Sequence, residues 1–273
     1  MNYVLVTGDN EIIAATDKHI EFFAPKSAAN SALRSPSGAL SLSAFDIDWV
    51  QTRPAIALDM CTALALVDPT RNRLLISAQA NGLIRLIDLT ANSEVWRLDS
   101  RLGRVHSISN SSDGKYIATV HWRQTVVWDL QNRNRRYSLP TTPYRTNGVS
   151  FSPDGSTIAT SDSDGLVRLW NAETGSESSA LHCPFSIVND LAFSPDGQLL
   201  AAVSSRAKTQ VLPHALRPSG RITIWDVRRR TIVAEYRGHA GGSACLAFSP
   251  NGRILATGGV DGSINLWNVP SEK

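Results

Sequence analysis

The chain has 273 residues, 42% of them hydrophobic and 19% charged, which is enough apolar material for a sizeable core and too little charge for a disordered polymer. A formal net charge of +3 with 7% aromatic residues falls short of the basic density of an obligate nucleic-acid binder. No apolar run reaches the ~18 residues of a membrane span, and the opening "MNYVLVTGDNEII" carries acidic residues where a signal peptide stays apolar, so a cytoplasmic protein is expected.

Taken in chain order, the first 61 residues are the least regular. "NYVLVTGDNEIIAATDKHIEFFAP" reads as short strands, followed by the Ala/Ser-rich "KSAANSALRSPSG" and the strand-like "ALSLSAFDIDWV". From Thr62 a period takes over. Trp128, Trp170, Trp225 and Trp267 close successive segments 42, 55 and 42 residues apart, and Ile87 fills the same place 41 residues before Trp128. A period of about 41 to 42 residues matches four-stranded propeller blades, and paired-helix solenoids come close to it. Strand signals decide between them. Asp113-Gly114, Asp154-Gly155, Asp164-Gly165, Asp196-Gly197, Asn251-Gly252 and Asp261-Gly262 supply tight hairpin turns. Between them, "STIATS" and "LVRLWN" have room for one strand each and none for a helix.

The stretches "SFSPDGSTIATSDSDGLVRLWN" and "GHAGGSACLAFSPNGRILATGGVDGSINLWN" resemble repeats of the WD-repeat β-propeller family. Such blades run from an inner strand a through b and c to an outer strand d. The resemblance implies an all-β fold, a closed β-propeller of four-stranded antiparallel blades. Six blades are expected, because a seven-bladed ring would need strands that the sequence does not contain. The whole chain, 1–273, is read as one propeller domain: 62–273 holds five recognisable repeats, and 1–61 a degenerate first blade and a closing strand. With only six residues after Trp267, the outer strand of the last blade has to come from elsewhere, and Tyr3 to Thr7 is the expected donor.

The family resemblance also implies a structural tetrad, met in full by His239, Thr257, Asp261 and Trp267. In the unit that closes at Trp170, Thr160 and Asp164 are kept while Thr142 stands in the place of the histidine.

An enzyme is not expected. The sequence contains no Gly-x-Ser-x-Gly elbow. His19, His106, His121, His182, His214 and His239 are scattered one to a strand or loop, and Asp46 with Asp48 and Asp162 with Asp164 fall in turn or loop sequence, where Asp accepts backbone N–H groups. The three cysteines, Cys61, Cys183 and Cys245, form no Cys-x-x-Cys pair and read as buried thiols. No catalytic residue, cofactor or metal site is therefore assigned.

What remains is a non-catalytic scaffold that binds one or more proteins or peptides, as the resemblance implies. Its partner surface is placed at the end of the blades that bears the d–a and b–c loops. Trp122 is its anchor, because "HWRQ" replaces the usual Asp-Gly turn there. Arg104, Arg123, Tyr144, Arg145 and Phe185 join it, with Arg206 and Lys208 from the long loop between Ser204 and Gly220. Trp, Tyr and Arg are the residue types that dominate binding hot spots. The alternative is a nucleic acid or another anionic surface, bound through the c–d hairpins that carry Arg133, Arg135 and Arg136 and Arg228, Arg229 and Arg230.

Overall fold

The computed structural model describes residues 3–6, 12–15, 19–25, 49–57, 61–67, 74–122, 124–140, 142–183, 187–205, 220–239 and 242–270. Every regular element among them is a β-strand. The chain divides into two compact units, Met1–Arg34 with Ala44–Ser138 and Ser35–Ser43 with Leu139–Lys273.

In the first unit, β1 (Tyr3–Val6), β2 (Ile12–Ala15), β3 (His19–Pro25) and β4 (Trp49–Ala57) form one sheet in chain order. The strands β5 (Cys61–Leu66), β6 (Leu74–Gln79), β7 (Leu83–Asp88) and β8 (Ser93–Asp99) form the next. A third contains β9 (Ser107–Asn110), β10 (Tyr116–Val120), β11 (Thr125–Asp129) and β12 (Asn134–Ser138). In the second unit, β13 (Thr146–Phe151), β14 (Thr157–Asp162), β15 (Leu166–Asn171) and β16 (Glu177–His182) are followed by β17 (Ile187–Phe193), β18 (Leu199–Ser205), β19 (Arg221–Asp226) and β20 (Thr231–Arg237). The last sheet has three strands, β21 (Ser243–Phe248), β22 (Ile254–Gly259) and β23 (Ile264–Asn268).

These sheets are the blades of a β-propeller, all of them antiparallel meanders. Two expectations need correction. Five blades have four strands, not six, and the described residues show no closed ring. The N-terminal strand does not complete the last blade either, because β1 pairs with β2, from Tyr3↔Ala15 to Val6↔Ile12. A strand that meets its neighbour in sequence closes a short loop, whereas pairing with the far end of the chain closes a very long one at greater entropic cost.

A repeated turn sets the blades up. The hydroxyl of Ser111, Ser152, Ser194 and Ser249 donates to Asp113, Asp154, Asp196 and Asn251 at 2.6, 2.5, 2.6 and 2.7 Å. Each of those side chains also accepts the backbone N–H two residues on, at 3.0 to 3.1 Å. The next residue is Gly114, Gly155, Gly197 or Gly252, with φ between 68° and 74°, a conformation that favours glycine. These bonds favour the charged carboxylate. The Ser152 hydroxyl holds Asp154 below the usual carboxylate range, and the Ser194 hydroxyl does the same for Asp196.

Blades pack face to face through apolar side chains. Leu199, Ala201, Val203, Ile222 and Ile224 of β18 and β19 are buried with Leu255, and Leu246, Phe248 and Trp267 of the last blade pack against them. At the bulges of β13 and β17 an asparagine adds a polar clasp. The Asn147 amide donates to the Val188 carbonyl at 2.7 Å, and the Asn189 amide donates to the Ser243 carbonyl at 2.7 Å. Cys61 and Cys183 are buried as expected, but Cys245 is exposed. It shares a face with Gly258, its cross-strand partner, on the side of the last sheet opposite Leu255 and Thr257. Among the described residues no helix is long and apolar enough to cross a membrane.

Candidate functional site

The blades share one internal slot at the end of their second strand, and its filling shapes the loops around it. In the last blade, Trp267 Nε1 donates to Thr257 Oγ1 at 2.8 Å, and His239 Nε2 lies 2.8 Å from the same hydroxyl. His239 Nδ1 lies 3.3 Å from Asp261 Oδ1 and 2.8 Å from Ser263 Oγ. The four tetrad residues are thus brought together. The imidazole occupies the space beside Gly259, where an added Cβ would come within 2.3 Å of His239 Cγ. A glycine is required there by close approach.

The residues equivalent to Gly259, two beyond the threonine position, are Gln79, His121, Asp162 and Ser204. In the third blade, His121 fills the slot from its own strand end. It is 1% exposed, and its Nε2 lies 3.1 Å from Thr119 Oγ1, which accepts Trp128 Nε1 at 2.8 Å. His121 Nδ1 lies 3.2 Å from the Gly103 carbonyl, so an Nδ1–H tautomer completes a chain in which each donor has an acceptor. Burial pulls the His121 pKa down and keeps the ring neutral, as this chain requires.

In the fourth blade, where Thr142 stands in place of the histidine, Trp170 Nε1 still donates to Thr160 Oγ1 at 2.9 Å. The slot holds Asp162, which accepts the Thr146 hydroxyl at 2.6 Å and pairs with Arg168. Arg168 also reaches Asp164 at 2.7 Å. Burial pushes the Asp162 pKa up despite these partners.

The third blade's slot positions the first predicted site residue. With His121 tied to Gly103, and His106 N–H donating to the Val120 carbonyl at 2.7 Å, the d–a loop and the b–c turn are stitched together. Trp122 projects from that stitched corner, 59% exposed, with its ring 6.3 Å from the His106 ring. Arg104 is exposed in the same d–a loop. In the other unit, Tyr144 is 50% exposed and Arg145 is exposed. Arg123, Phe185, Arg206 and Lys208 lie outside the described residues.

The two basic hairpins contain cations already engaged. Arg136 stacks on the Tyr116 ring at 4.3 Å, and Arg135 donates to Ser138. Arg229 pairs with Asp226 at 2.8 Å. A groove of about 700 Å³ runs beside the second hairpin, lined by both Asp196 and Asp226 and by Arg228 and Arg229. Its mixed charge suits no single sign of ligand.

Sequence reasoning did not assign His121 to the slot, although Thr119-x-His121 followed by Trp128 is the legible signal. It also passed over Asp190 on the inner strand of the fifth blade. That carboxyl accepts the Leu246 N–H at 3.2 Å, and burial pushes its pKa up to about 6.

Serine turns, closing tryptophans and antiparallel meanders together define a β-propeller built from sequence repeats. The chain carries WD repeats: the family described as "WD domain, G-beta repeat" matches residues 138–171, 176–226 and 230–268. The chain is similar to the periodic tryptophan protein 2 homolog of Dictyostelium discoideum, 25% identical over 206 residues that cover 73% of this chain and 21% of the relative. Protein groucho of Drosophila melanogaster is 26% identical over 173 residues, covering 60% and 22%. The WD repeat and SOCS box-containing protein 1 of Xenopus tropicalis is 30% identical over 150 residues, covering 53% and 32%. The chain thus spans less than a third of the length of each of these relatives.

Proposed function

We propose that this protein is a non-catalytic interaction scaffold, cytoplasmic, that holds a protein or peptide partner on the loop end around Trp122. The observation that carries this reading is the contrast between Trp122 and its neighbour. His121 is buried in the slot and Trp122 is 59% exposed, so a large apolar ring is presented from a fixed base. A pre-positioned aromatic loses little entropy on binding, which is why such residues become hot spots. The family supports the reading. Relatives named as a SOCS box-containing protein and as telomerase protein component 1 carry the matching region as a fraction of a longer chain, 32% and 7% respectively. In the same reading, His239, Thr257, Asp261 and Trp267 maintain the blade and do not touch the partner. A photoreactive amino acid at position 122, irradiated in cells, tests the proposal. Crosslinks to one or a few defined proteins, lost when the probe is moved to Val95 on an outer strand, are expected. A crosslinking pattern identical at the two positions refutes it.

The alternative, an anionic ligand on the c–d hairpins, has less behind it, because Arg136 and Arg229 are already committed to Tyr116 and Asp226.

A further inference from the structure

The inner strands of the second unit differ at one repeated position. Gly148, Asp190 and Cys245 each follow the register shift of β13, β17 and β21, and they stand opposite Ser161, Val203 and Gly258 on the adjoining second strands. In the second blade the same position holds Ala63 opposite Ala78, both buried. A blade therefore needs only a small side chain here, and the charge of Asp190 is a departure from the repeat.

That carboxyl reaches toward both neighbouring inner strands. Asp190 Oδ2 accepts the Leu246 N–H of β21 at 3.2 Å, and Oδ1 accepts the Leu191 N–H at 2.9 Å. On the β13 side, Oδ1 lies 3.1 Å from the place that a Cβ on Gly148 would take, and Ser161 Oγ lies 2.9 Å from the same place. Two oxygens so placed are close enough for one bridging atom to hydrogen-bond to each. In the last blade the matching space over Gly258 is taken by Cys245 Sγ, 2.8 Å from the corresponding point. Over Gly148 it is bordered by oxygen.

The fold leaves both groups unbalanced. Ser161 is fully buried, and its Oγ has no hydrogen-bond partner, a costly state for a hydroxyl removed from water. Burial pushes the Asp190 pKa up to about 6 against the two N–H groups that lower it, and no cationic side chain among the described residues helps to hold it down. At neutral pH the carboxylate is ionised and carries an unpaired charge. Cys245 supplies no cation, because burial, and then the Asp190 charge, push its thiol pKa up. The tie to β21 does not need the charge either, since the Asn189 amide already clasps the Ser243 carbonyl and a neutral amide oxygen would also accept the Leu246 N–H. Asp190 as a residue stays partly exposed, which gives an external group a path to the carboxyl.

The accepting groups select the ligand. Each Asp190 oxygen already accepts one backbone N–H, so the carboxylate lacks the open edge that a guanidinium fork engages in two parallel bonds. A compact cation with three N–H donors suits one carboxylate oxygen and one hydroxyl. We propose that Asp190 and Ser161, meeting over Gly148, form a binding site for a primary ammonium group such as a lysine side chain presents. The site does not depend on the surface around Trp122, and either can fail without the other.

Titration of the intact chain, carrying isotope-labelled leucine, with Nα-acetyl-lysine amide and with methylammonium chloride tests this by nuclear magnetic resonance. The Leu191 and Leu246 amide signals are expected to move saturably with the lysine derivative and to stay in place with its norleucine counterpart and with potassium chloride at equal ionic strength. The arginine counterpart is expected to bind about tenfold more weakly. Asp190→Asn should weaken binding about tenfold or more, and Ser161→Ala roughly three- to tenfold, with the Leu169 amide reporting that each variant is folded. A response to methylammonium alone keeps the ammonium site and makes a free amine its ligand. No saturable movement with either amine, an equal response to potassium, arginine binding as tightly as lysine, or binding unchanged in either variant each overturns the assignment.

Discussion

Replacing Thr119 by valine keeps the shape of a fully buried side chain and removes one hydroxyl. That hydroxyl accepts Trp128 Nε1–H at 2.8 Å and faces His121 Nε2 at 3.1 Å, so two buried groups lose their partner together. At about 1 to 3 kcal/mol for each buried group left unsatisfied, the loss is roughly 2 to 6 kcal/mol. Thr160→Val in the fourth blade strands only Trp170 Nε1–H, at about 1 to 3 kcal/mol. Urea unfolding followed by tryptophan fluorescence and by far-UV circular dichroism checks the order, with coincidence of the two probes as the test for a single transition. Thr119→Val should be the more damaging of the two, and it should also speed exchange of the His106 amide, because the d–a loop hangs on His121. If Thr119→Val costs no more than Thr160→Val, His121 is not part of a working network.

Asp190→Asn retains an acceptor for Leu246 and removes the charge. An aspartate raised to about 6 in the folded state stabilises the fold below its unfolded pKa and loses that contribution as pH rises from about 4 through 6. The residue is still partly reached by solvent, so the substitution should gain about 1 to 2 kcal/mol at pH 7.5 and nearly nothing at pH 4, read from paired denaturation curves. A gain equal at both pH values would remove the charge from the explanation. Gly259→Ala should destabilise the last blade by driving a methyl into His239, and His239→Ala should recover part of that loss in the double variant; additive losses in thermal melts contradict the shared slot. Asp261→Ala should lower the melting temperature and leave binding by the folded fraction intact, whereas unchanged melting with lost binding would make the tetrad a contact surface. Trp122→Ala should weaken a crosslinked partner by about 2 kcal/mol or more and barely move stability, and calorimetry with wild-type affinity would reject it as anchor.

The repeat was legible because the features that build a blade are local. A serine turn needs Ser-x-Asp-Gly in sequence, and a closing tryptophan needs only its place on the third strand, so Trp128, Trp170, Trp225 and Trp267 could be aligned by counting. The slot was less legible because it is a shared volume with no fixed donor. His239 enters it from a preceding loop and requires Gly259, while His121 enters from the strand end itself, and Asp162 brings Arg168 with it. Three different side chains satisfy one packing requirement, so a pattern written for one of them misses the others. The pairing of β1 was illegible for a different reason. "YVLV" has strand character, and alternation says nothing about which edge a strand will join.

The same logic separates what the slot does from what the loop end does. A buried network such as Trp128, Thr119 and His121 is costly to break and indifferent to which partner binds outside. It therefore fixes the corner from which Trp122 projects and leaves residue 122 free to vary. If binding depended on the slot, substitutions in it would alter affinity and stability in proportion. If the slot only supplies a rigid base, Trp122→Ala and Thr119→Val should fall on separate axes, one in affinity and the other in stability. Rigid cores with variable tips are how repeated blades come to serve unrelated partners. In this chain the boundary between core and tip falls within a single dipeptide, His121-Trp122.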